Sequence, residues 1–595
     1  MKFRNILLVY PKIPSNTYWS FQYALKFIDK KSAMPPLGLI TVASFFPEHY
    51  NLRLIDMNIE ELLNSDIEWA DAVFISAMIV QKNSSEEVVG RCCRAGVVTV
   101  MGGPYVTTGY SGIKNVNHLI AGEVEDTFLS FLDDLEAGKA KPFYPKPEKP
   151  DIKCLPVPRF DLLNIDEYSS MSVQYSRGCP FRCEFCDIWK VYGNRVRLKK
   201  SDNFTAEIDS LYNLGWRGSI FVVDDNFIGN RGRLKKELLP ALYKWQKEHD
   251  FVFRFYTEAS IDMAEDDELL AAMRDSGFNE VFIGIETPCE DSLRETGKGH
   301  NIKNDMMKSV RKIQNYGMEV MAGFILGFDS DRDEIFDRQI EFIQEAGIAK
   351  AMVGMLTALP ETELYKRLES EDRIIGDSTG NNTHCFKTNF KTRMDDDVLK
   401  EGYRKILSTI YDYNMKNYFR RCEILLGNLG VTKLSVRKVT FYELKIFFKS
   451  VLTQPFRRYG FQYLRFLIRI FFKRPSIIPE AVRFGVIGHH FYVMSREVLK
   501  VDSFSSSLEH CYKYLRNRVS VYSEAFRGNS SEAASVLADL WKERNKMLSD
   551  FGKGMNKIHS DFRKDAAAEL ERIAEETRKL FIDHIDYLEA AGYKI

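Results

Sequence analysis

Short apolar runs alternate with stretches of helical period along the first 138 residues. Ile6–Tyr10, Leu52–Asp56, Ala72–Ser76, Val97–Met101 and His118–Ala121 read as strands, and Leu37–Phe46, Ile59–Leu63, Ser84–Ala95 and Asp126–Leu135 as helices. Strands that alternate with helices predict a parallel, doubly wound sheet of the Rossmann-like kind, with ligands at its C-terminal edge. Six prolines between positions 140 and 158 rule out a helix or an interior strand, so 139–168 reads as a linker.

The alternation resumes from 169 to 395. Ser172–Ser176, Ser219–Asp224, Phe251–Thr257, Val281–Glu286, Glu319–Leu326 and Met352–Thr357 read as strands. Between them Thr205–Leu214, Arg233–Lys247, Asp267–Ser276, Lys303–Tyr316 and Arg332–Ala346 carry helical periodicity. Strand and helix units in series predict a (β/α)6 partial barrel whose chemistry sits at the C-terminal strand ends. Beyond 395 the strand signal stops: 396–500 reads as a basic, aromatic helical domain and 501–595 as a helical tail. The fold class is therefore α/β with a helical C-terminal region.

Charge changes this picture little as a whole and strongly in one place. The 83 basic residues balance the 83 acidic ones, which argues against a nucleic-acid partner. The first ten residues hold too short an apolar run for a signal peptide, and no run of apolar residues is long enough to span a bilayer, so a cytoplasmic protein is expected. Residues 433–474, in contrast, carry eleven Lys or Arg against one acid, Glu443, among many aromatics. Within it Arg458, Gln462, Arg465, Arg469 and Lys473 recur at helical steps with Phe461, Phe466, Phe471 and Phe472 on the other faces. Such a helix either lies at a membrane interface or packs in the C-terminal domain with its cations in solvent. His489 and His490 read as core histidines or as ligands.

Of ten cysteines, three fall in Cys179-Pro-Phe-Arg-Cys183-Glu-Phe185-Cys186, directly after the first barrel strand; the others are scattered, unlike a disulfide framework. Three thiolates on one loop can hold three irons of a four-iron, four-sulfur (4Fe-4S) cluster and leave the fourth open to a chelating substrate. Zinc favours four ligands in paired sets, and no second pair lies nearby. Other polar groups stand at strand ends. Asp224, Asp225 and Asn226 follow the second barrel strand, Glu258 the third, and Glu286 ends the fourth. In the first domain Asp56 and Asn58 follow the second strand, Ser76, Met78 and Gln81 the third, Gly102-Gly103 the fourth and Gly122-Glu123 the fifth. Paired glycines allow a bulky ligand close to the backbone, and neither site is a dinucleotide fingerprint. Tyr256, Cys289 and Cys385 are further candidates for hydrogen or proton donation.

These residues resemble the cobalamin-binding radical S-adenosylmethionine (SAM) enzymes over about residues 1–395. The resemblance rests on the cysteine triplet with Phe185 before its last member, and on Met34-Pro35-Pro36-Leu37-Gly38, Asp56, Ser76 and Gly102-Gly103. Asn58 stands where many cobalamin domains have a cobalt-binding histidine, so the resemblance implies a cobalt face without an imidazole ligand. Val223–Asn230, Ile285–Pro288, Leu359–Tyr365 and Gly485–His490 resemble the hopanoid C-2 methylase-like, lipid-modifying subgroup to about residue 500.

The resemblance implies that Cys179, Cys183 and Cys186 hold the cluster. Phe185, Asp225, Asn226, Glu258 and Glu286 would line the SAM site. Met34, Pro35, Gly38, Asp56, Asn58, Ser76, Met78, Gln81, Gly102, Gly103, Gly122 and Glu123 would line the cobalamin site. Reductive cleavage of SAM gives a 5′-deoxyadenosyl radical that removes a hydrogen from an unactivated carbon, and methylcobalamin then supplies the methyl group. The implied substrate is an apolar, hopanoid- or isoprenoid-like membrane lipid. The implied electron donor is a protein such as flavodoxin or ferredoxin, with peripheral association at the cytoplasmic membrane face. Carbon–carbon bond or ring formation without methyl transfer is the alternative chemistry.

Overall fold

The computed structural model describes residues 3–146, 148–303, 305–383, 386–430, 441–525 and 530–590. The chain forms two compact units, residues 1–492 and 493–595. Cys385 and the basic positions 433–440 lie outside the described residues.

The first unit opens with six parallel strands: β1 (Asn5–Tyr10), β2 (Asn51–Asp56), β3 (Ala72–Ser76), β4 (Val98–Gly102), β5 (His118–Ile120) and β6 (Phe143–Tyr144). Their order is β2-β1-β3-β4-β5-β6. In β1 the pleat sends Ile6 and Leu8 into one core, with Phe74, Phe128 and Phe131, and Leu7 and Val9 into another, with Val88, Val89 and Cys92. Burial on both faces is why this strand reads as an uninterrupted apolar run. The order reverses at β1, between β2 and β3, and that switch point opens a crevice at the C-terminal edge.

One expectation is corrected here. Ile59–Leu63 is not helical. The backbone N–H groups of Ile59 and Glu60 both donate to the Asp56 carbonyl, closing a turn. The helix starts later, at Asn64–Trp69, where the Asp66 carboxylate accepts from the Leu63 N–H. The proline-rich segment contributes β6, which pairs with β5 at the edge of the sheet, a place that prolines tolerate.

The second sheet contains β7 (Ser170–Val173), β10 (Ser219–Val222), β11 (Arg254–Ala259), β12 (Phe278–Glu286), β13 (Glu319–Leu326) and β14 (Ala351–Met355), in the order β14-β13-β12-β11-β10-β7. All neighbours are parallel and β7 and β14 do not pair, so the barrel is partial as expected. β11 starts three residues later than its apolar run suggests. Asp250 and Phe251 take positive φ (53° each) and turn the chain, the Phe251 N–H donating to Gln246 O (2.7 Å). The first barrel strand stops at Val173; Ser176–Arg177 (β8) instead pairs antiparallel with Arg197–Leu198 (β9).

The helices Asp396–Ile410, Lys416–Asn428, Phe441–Thr453 and Gly460–Lys473 follow, and Ile478–Ala525 runs on unbroken through position 500. Within the first unit this helical region closes the N-terminal end of the barrel strands. The Arg483 guanidinium donates to Glu319 (2.6 Å), Glu280 (3.0 Å) and Glu480 (2.7 Å), and Lys350 pairs with Glu280. Arg421, fully buried, donates to the carbonyls of Ile348 and Ile410. His490 donates through Nε2 to the Tyr18 carbonyl, and Tyr459 and His489 share a hydrogen bond. Burial holds His490 far below the ordinary imidazole range, at about 3. The pair thus ties the N-terminal segment to the helical region.

In the second unit Val519, Leu537, Leu540, Phe581 and Leu588 form the core, and Arg544 Nε donates to Thr577 Oγ1 (2.9 Å).

Candidate active site

The cysteine loop springs from β8, and Gly178 sets its exit. This residue has φ +93°, and a Cβ on it would stand 2.8 Å from the Gly193 carbonyl oxygen and 3.0 Å from that of Arg195. Only glycine fits such a place. The Cys179 N–H donates to the same Gly193 carbonyl (3.2 Å), and the Cys186 N–H to the Cys183 carbonyl (3.1 Å), so the chain curls about the thiols.

Helices and loops that follow later barrel strands clamp this curl. The Glu184 N–H donates to Thr296 O and its carbonyl accepts from the Leu364 N–H, while Arg367 Nε donates to its carboxylate (2.5 Å). Phe181 stacks on His300 with centroids 3.7 Å apart, and Phe185 packs against Phe328. Burial raises all three thiols above the usual cysteine range. Thiols in such surroundings stay protonated until a metal takes the proton's place. No group of three His, Cys, Asp or Glu among the described residues is arranged to chelate a single metal ion. A cluster, whose thiolates bind separate irons, does not require that crowding.

Carboxylates gather beside the loop. Asp224 accepts from the Tyr175 N–H (2.8 Å) and the Ser176 hydroxyl (2.6 Å), which fixes the start of β8. Asp225 accepts from the Gly178 N–H (3.1 Å), and burial pushes its carboxyl up to about 7. Glu258, at the end of β11, has no hydrogen-bond or ion-pair partner among the described residues. Burial, then the Asp225 charge, push its carboxyl up to about 8. Two neighbouring carboxylates, one of them without a counter-charge, suit a cationic ligand such as the amino group or sulfonium of SAM. Asn226 hydrogen-bonds Ser260, across to the loop after β11. Glu286 sits at φ +62° and pairs with the buried Lys298.

The C-terminal edge of the first sheet is tied to the segments on both sides of β7. At one end Tyr168, ahead of β7, donates its hydroxyl to Asp56 (2.9 Å); at the other, Glu123 binds Arg177 (2.7 Å) and Arg197 (2.8 Å). Arg177 also meets Glu125 (2.5 Å). The C-terminal edge of the first sheet and the exit of the cysteine loop are therefore joined by a buried ion-pair cluster.

Several of the predicted first-domain residues face inward. Asp56 accepts from the Asn58 N–H (2.9 Å) and side-chain amide (2.7 Å), Asn58 Oδ1 accepts from the Ile13 N–H, and Gln81 Nε2 donates to Pro11 O (2.5 Å). These groups brace the edge, and Glu123 is spent on arginines. Gly103 (φ +92°) and Gly122 (φ +84°) shape the rim, Ser76 lies under Gly103, Met78 is partly exposed, and nothing stands within 4 Å of where a Cβ on Gly38 would be. Gly102 ends β4 beside them, and Met34 and Pro35 precede the helix that carries Gly38. A glycine-lined edge with an open side and no imidazole fits a bulky corrin with one cobalt face free of a protein ligand. Tyr256 is committed to Ser170 (2.8 Å) and stacked on Phe221; Cys289 follows β12. Sequence reasoning missed Arg177, Arg197 and Lys298, because their carboxylate partners lie 54, 74 and 12 positions away and no local pattern marks them.

An open parallel barrel with three cysteines on its first loop defines an enzyme that cleaves SAM by radical chemistry. Comparison with known proteins agrees: the Radical SAM superfamily model matches residues 173–343, and a domain of unknown function (DUF4070) matches 362–503. A methyltransferase of Synechocystis sp., itself uncharacterised, is 39% identical over 503 residues, covering 83% of this chain and 92% of that one. The hopanoid C-2 methylase of Rhodopseudomonas palustris is 35% identical over 379 residues, covering 63% and 72%. The solved structure of the radical SAM methyltransferase TsrM from Kitasatospora setae, with cobalamin and a [4Fe-4S] cluster bound, shares the fold. Its TM-score is 0.51 at 14% identity, covering 68% of this chain and 82% of that one. The chain belongs to the radical SAM superfamily, among its methyltransferases.

Proposed function

We propose that this chain is a cobalamin-dependent radical SAM C-methyltransferase acting on an apolar, hopanoid- or isoprenoid-like lipid. The observation that carries the reading is the Glu123–Arg177 pair, which fixes the glycine-rich edge of the first sheet against the cysteine loop. Cys179, Cys183 and Cys186 hold the cluster. Asp225, Asn226, Glu258 and Glu286 receive SAM, and the edge around Gly38, Gly102, Gly103 and Gly122 receives cobalamin. Those groups supply the radical and the methyl group; the protein orients them and keeps water out. Gly178, Glu184 and Arg367 fix the loop, and Glu123 fixes the distance between the two sites. Similarity to a hopanoid methylase supports the lipid substrate. A small reductant protein such as flavodoxin or ferredoxin supplies the electron. No helix among the described residues is long and apolar enough to cross a membrane.

The test is anaerobic turnover of the reconstituted protein with SAM, reductant and a lipid extract, followed by mass spectrometry. The expected products are 5′-deoxyadenosine, S-adenosylhomocysteine and a lipid heavier by one CH2, a methyl group having replaced a hydrogen. Deoxyadenosine without S-adenosylhomocysteine, beside a lipid lighter by two hydrogens, would replace methylation with ring formation.

A further inference from the structure

The helices Phe441–Thr453 and Gly460–Lys473 form a hairpin. The hydroxyls of Ser450 and Tyr463 share a hydrogen bond (2.7 Å), and Gln454 Nε2 donates to Ser450 Oγ (2.6 Å). The second helix buries Tyr463, Phe466, Leu467 and Ile470 against the body of the first unit. Its opposite face is not polar. Phe461 is 73% exposed and Phe472 80%, with Leu464, Ile468 and Phe471 between them, and Phe456 in the connecting turn is 88% exposed. From the first helix Leu444, Phe448 and Leu452 continue the exposed set at four-residue steps. A contiguous apolar face of this kind marks an interaction surface, not ordinary scatter.

Charge identifies the occupant. Positions 444–474 hold eight Lys or Arg and no Asp or Glu. Lys445 and Lys449 bind Asp29, Arg469 binds Glu423 and Arg474 binds backbone carbonyls. Arg457, Arg458, Arg465 and Lys473 are exposed and meet no carboxylate among the described residues, Arg458 lying over the Tyr413 ring. Protruding phenylalanines ringed by unneutralised cations complement an anionic bilayer, with rings in the acyl boundary and cations among headgroups. A second copy of the chain would bring the same cations against themselves.

We propose that this hairpin docks the enzyme on an anionic membrane surface, with Phe456, Phe461 and Phe472 inserted and Arg457, Arg465 and Lys473 at headgroup level. The inference deepens the lipid-substrate reading by naming where the lipid phase is met.

The test is co-sedimentation of the full chain with vesicles of phosphatidylcholine alone or with phosphatidylglycerol. The mixed vesicles are expected to bind better, less so as salt rises. Combined Phe456→Ser, Phe461→Ser and Phe472→Ser should lower the partition at least tenfold. Combined Arg457→Gln, Arg465→Gln and Lys473→Gln should cut the anionic preference, at roughly fivefold for each cation. Circular dichroism and reductive cleavage of SAM, measured without vesicles, should stay as in the parent chain. Equal binding to both vesicle types, no effect of either triple variant, or a dimer that the serine variant dissociates would each overturn the proposal. Vesicle binding without lipid methylation would instead remove the substrate reading and leave this one standing.

Discussion

Gly178 and Gly193 meet backbone to backbone: a methyl group on the first would press on the carbonyl oxygen of the second at 2.8 Å. That carbonyl also takes the Cys179 N–H, so the contact aims the first thiol. Gly178→Ala combines this clash with a positive φ that costs on the order of 1–3 kcal/mol for a residue with a side chain. The expected result is a folded protein that retains less than half the iron and sulfide of the parent after anaerobic reconstitution. Full incorporation would show that the loop can rearrange.

Gly103 makes the corresponding test at the other site. A Cβ there would lie 2.8 Å from Ser76 Oγ and 3.0 Å from the Ala77 carbonyl, again at positive φ. Gly103→Ala should weaken hydroxocobalamin binding about tenfold, the equivalent of about 1.4 kcal/mol. Iron content should not change. Loss of both cofactors together would indicate general misfolding instead.

Glu123 neutralises Arg177 and Arg197 in a buried setting. Glu123→Gln leaves those guanidinium groups short of a counter-charge, a change that costs about 3 kcal/mol when a buried pair is broken. Calorimetry should show the thermal transition lowered by several degrees. Lys31→Gln, at a half-exposed lysine whose ammonium pairs with Glu167, should leave it within about a degree.

Glu258 gives the stability a pH dependence of known sign. Its carboxyl titrates near 4.5 when unfolded and is raised to about 8 in the fold by burial and Asp225. Between those values the folded protein binds the extra proton, so stability present at low pH is lost as pH rises toward 8. In ligand-free protein, urea unfolding of the parent relative to Glu258→Gln should lose on the order of a few kcal/mol between pH 5 and pH 9. A difference that stays flat with pH would mean that Glu258 is ionised throughout.

The parallel sheets were legible because their strands are buried on both faces, as in Leu7-Leu8-Val9 or Ala351–Met355. Elements decided by single hydrogen bonds or backbone angles were not: bonds to the Asp56 carbonyl and the Asp66 carboxylate move one helix start, and paired positive φ angles at Asp250 and Phe251 shorten one strand. The cysteine triplet announces itself because its members are neighbours in sequence. Arg177, Arg197 and Lys298 do not, since what defines them is a distant carboxylate. The amphipathic period of 460–473 was readable, but which face points outward was decided by tertiary packing on Tyr463 and Ile470.

The bonds from His490 to Tyr18 and from Lys449 to Asp29 span 472 and 420 positions. Contacts of such sequence separation form late, because the intervening chain must be ordered first. During synthesis the first sheet therefore emerges long before its partners, with the segment from Tyr18 to Asp29 still without its cover. Truncation ahead of the last helices of the first unit would strand that early domain half-finished. Chaperone dependence of the nascent chain is the expected cellular sign of so distant a closure.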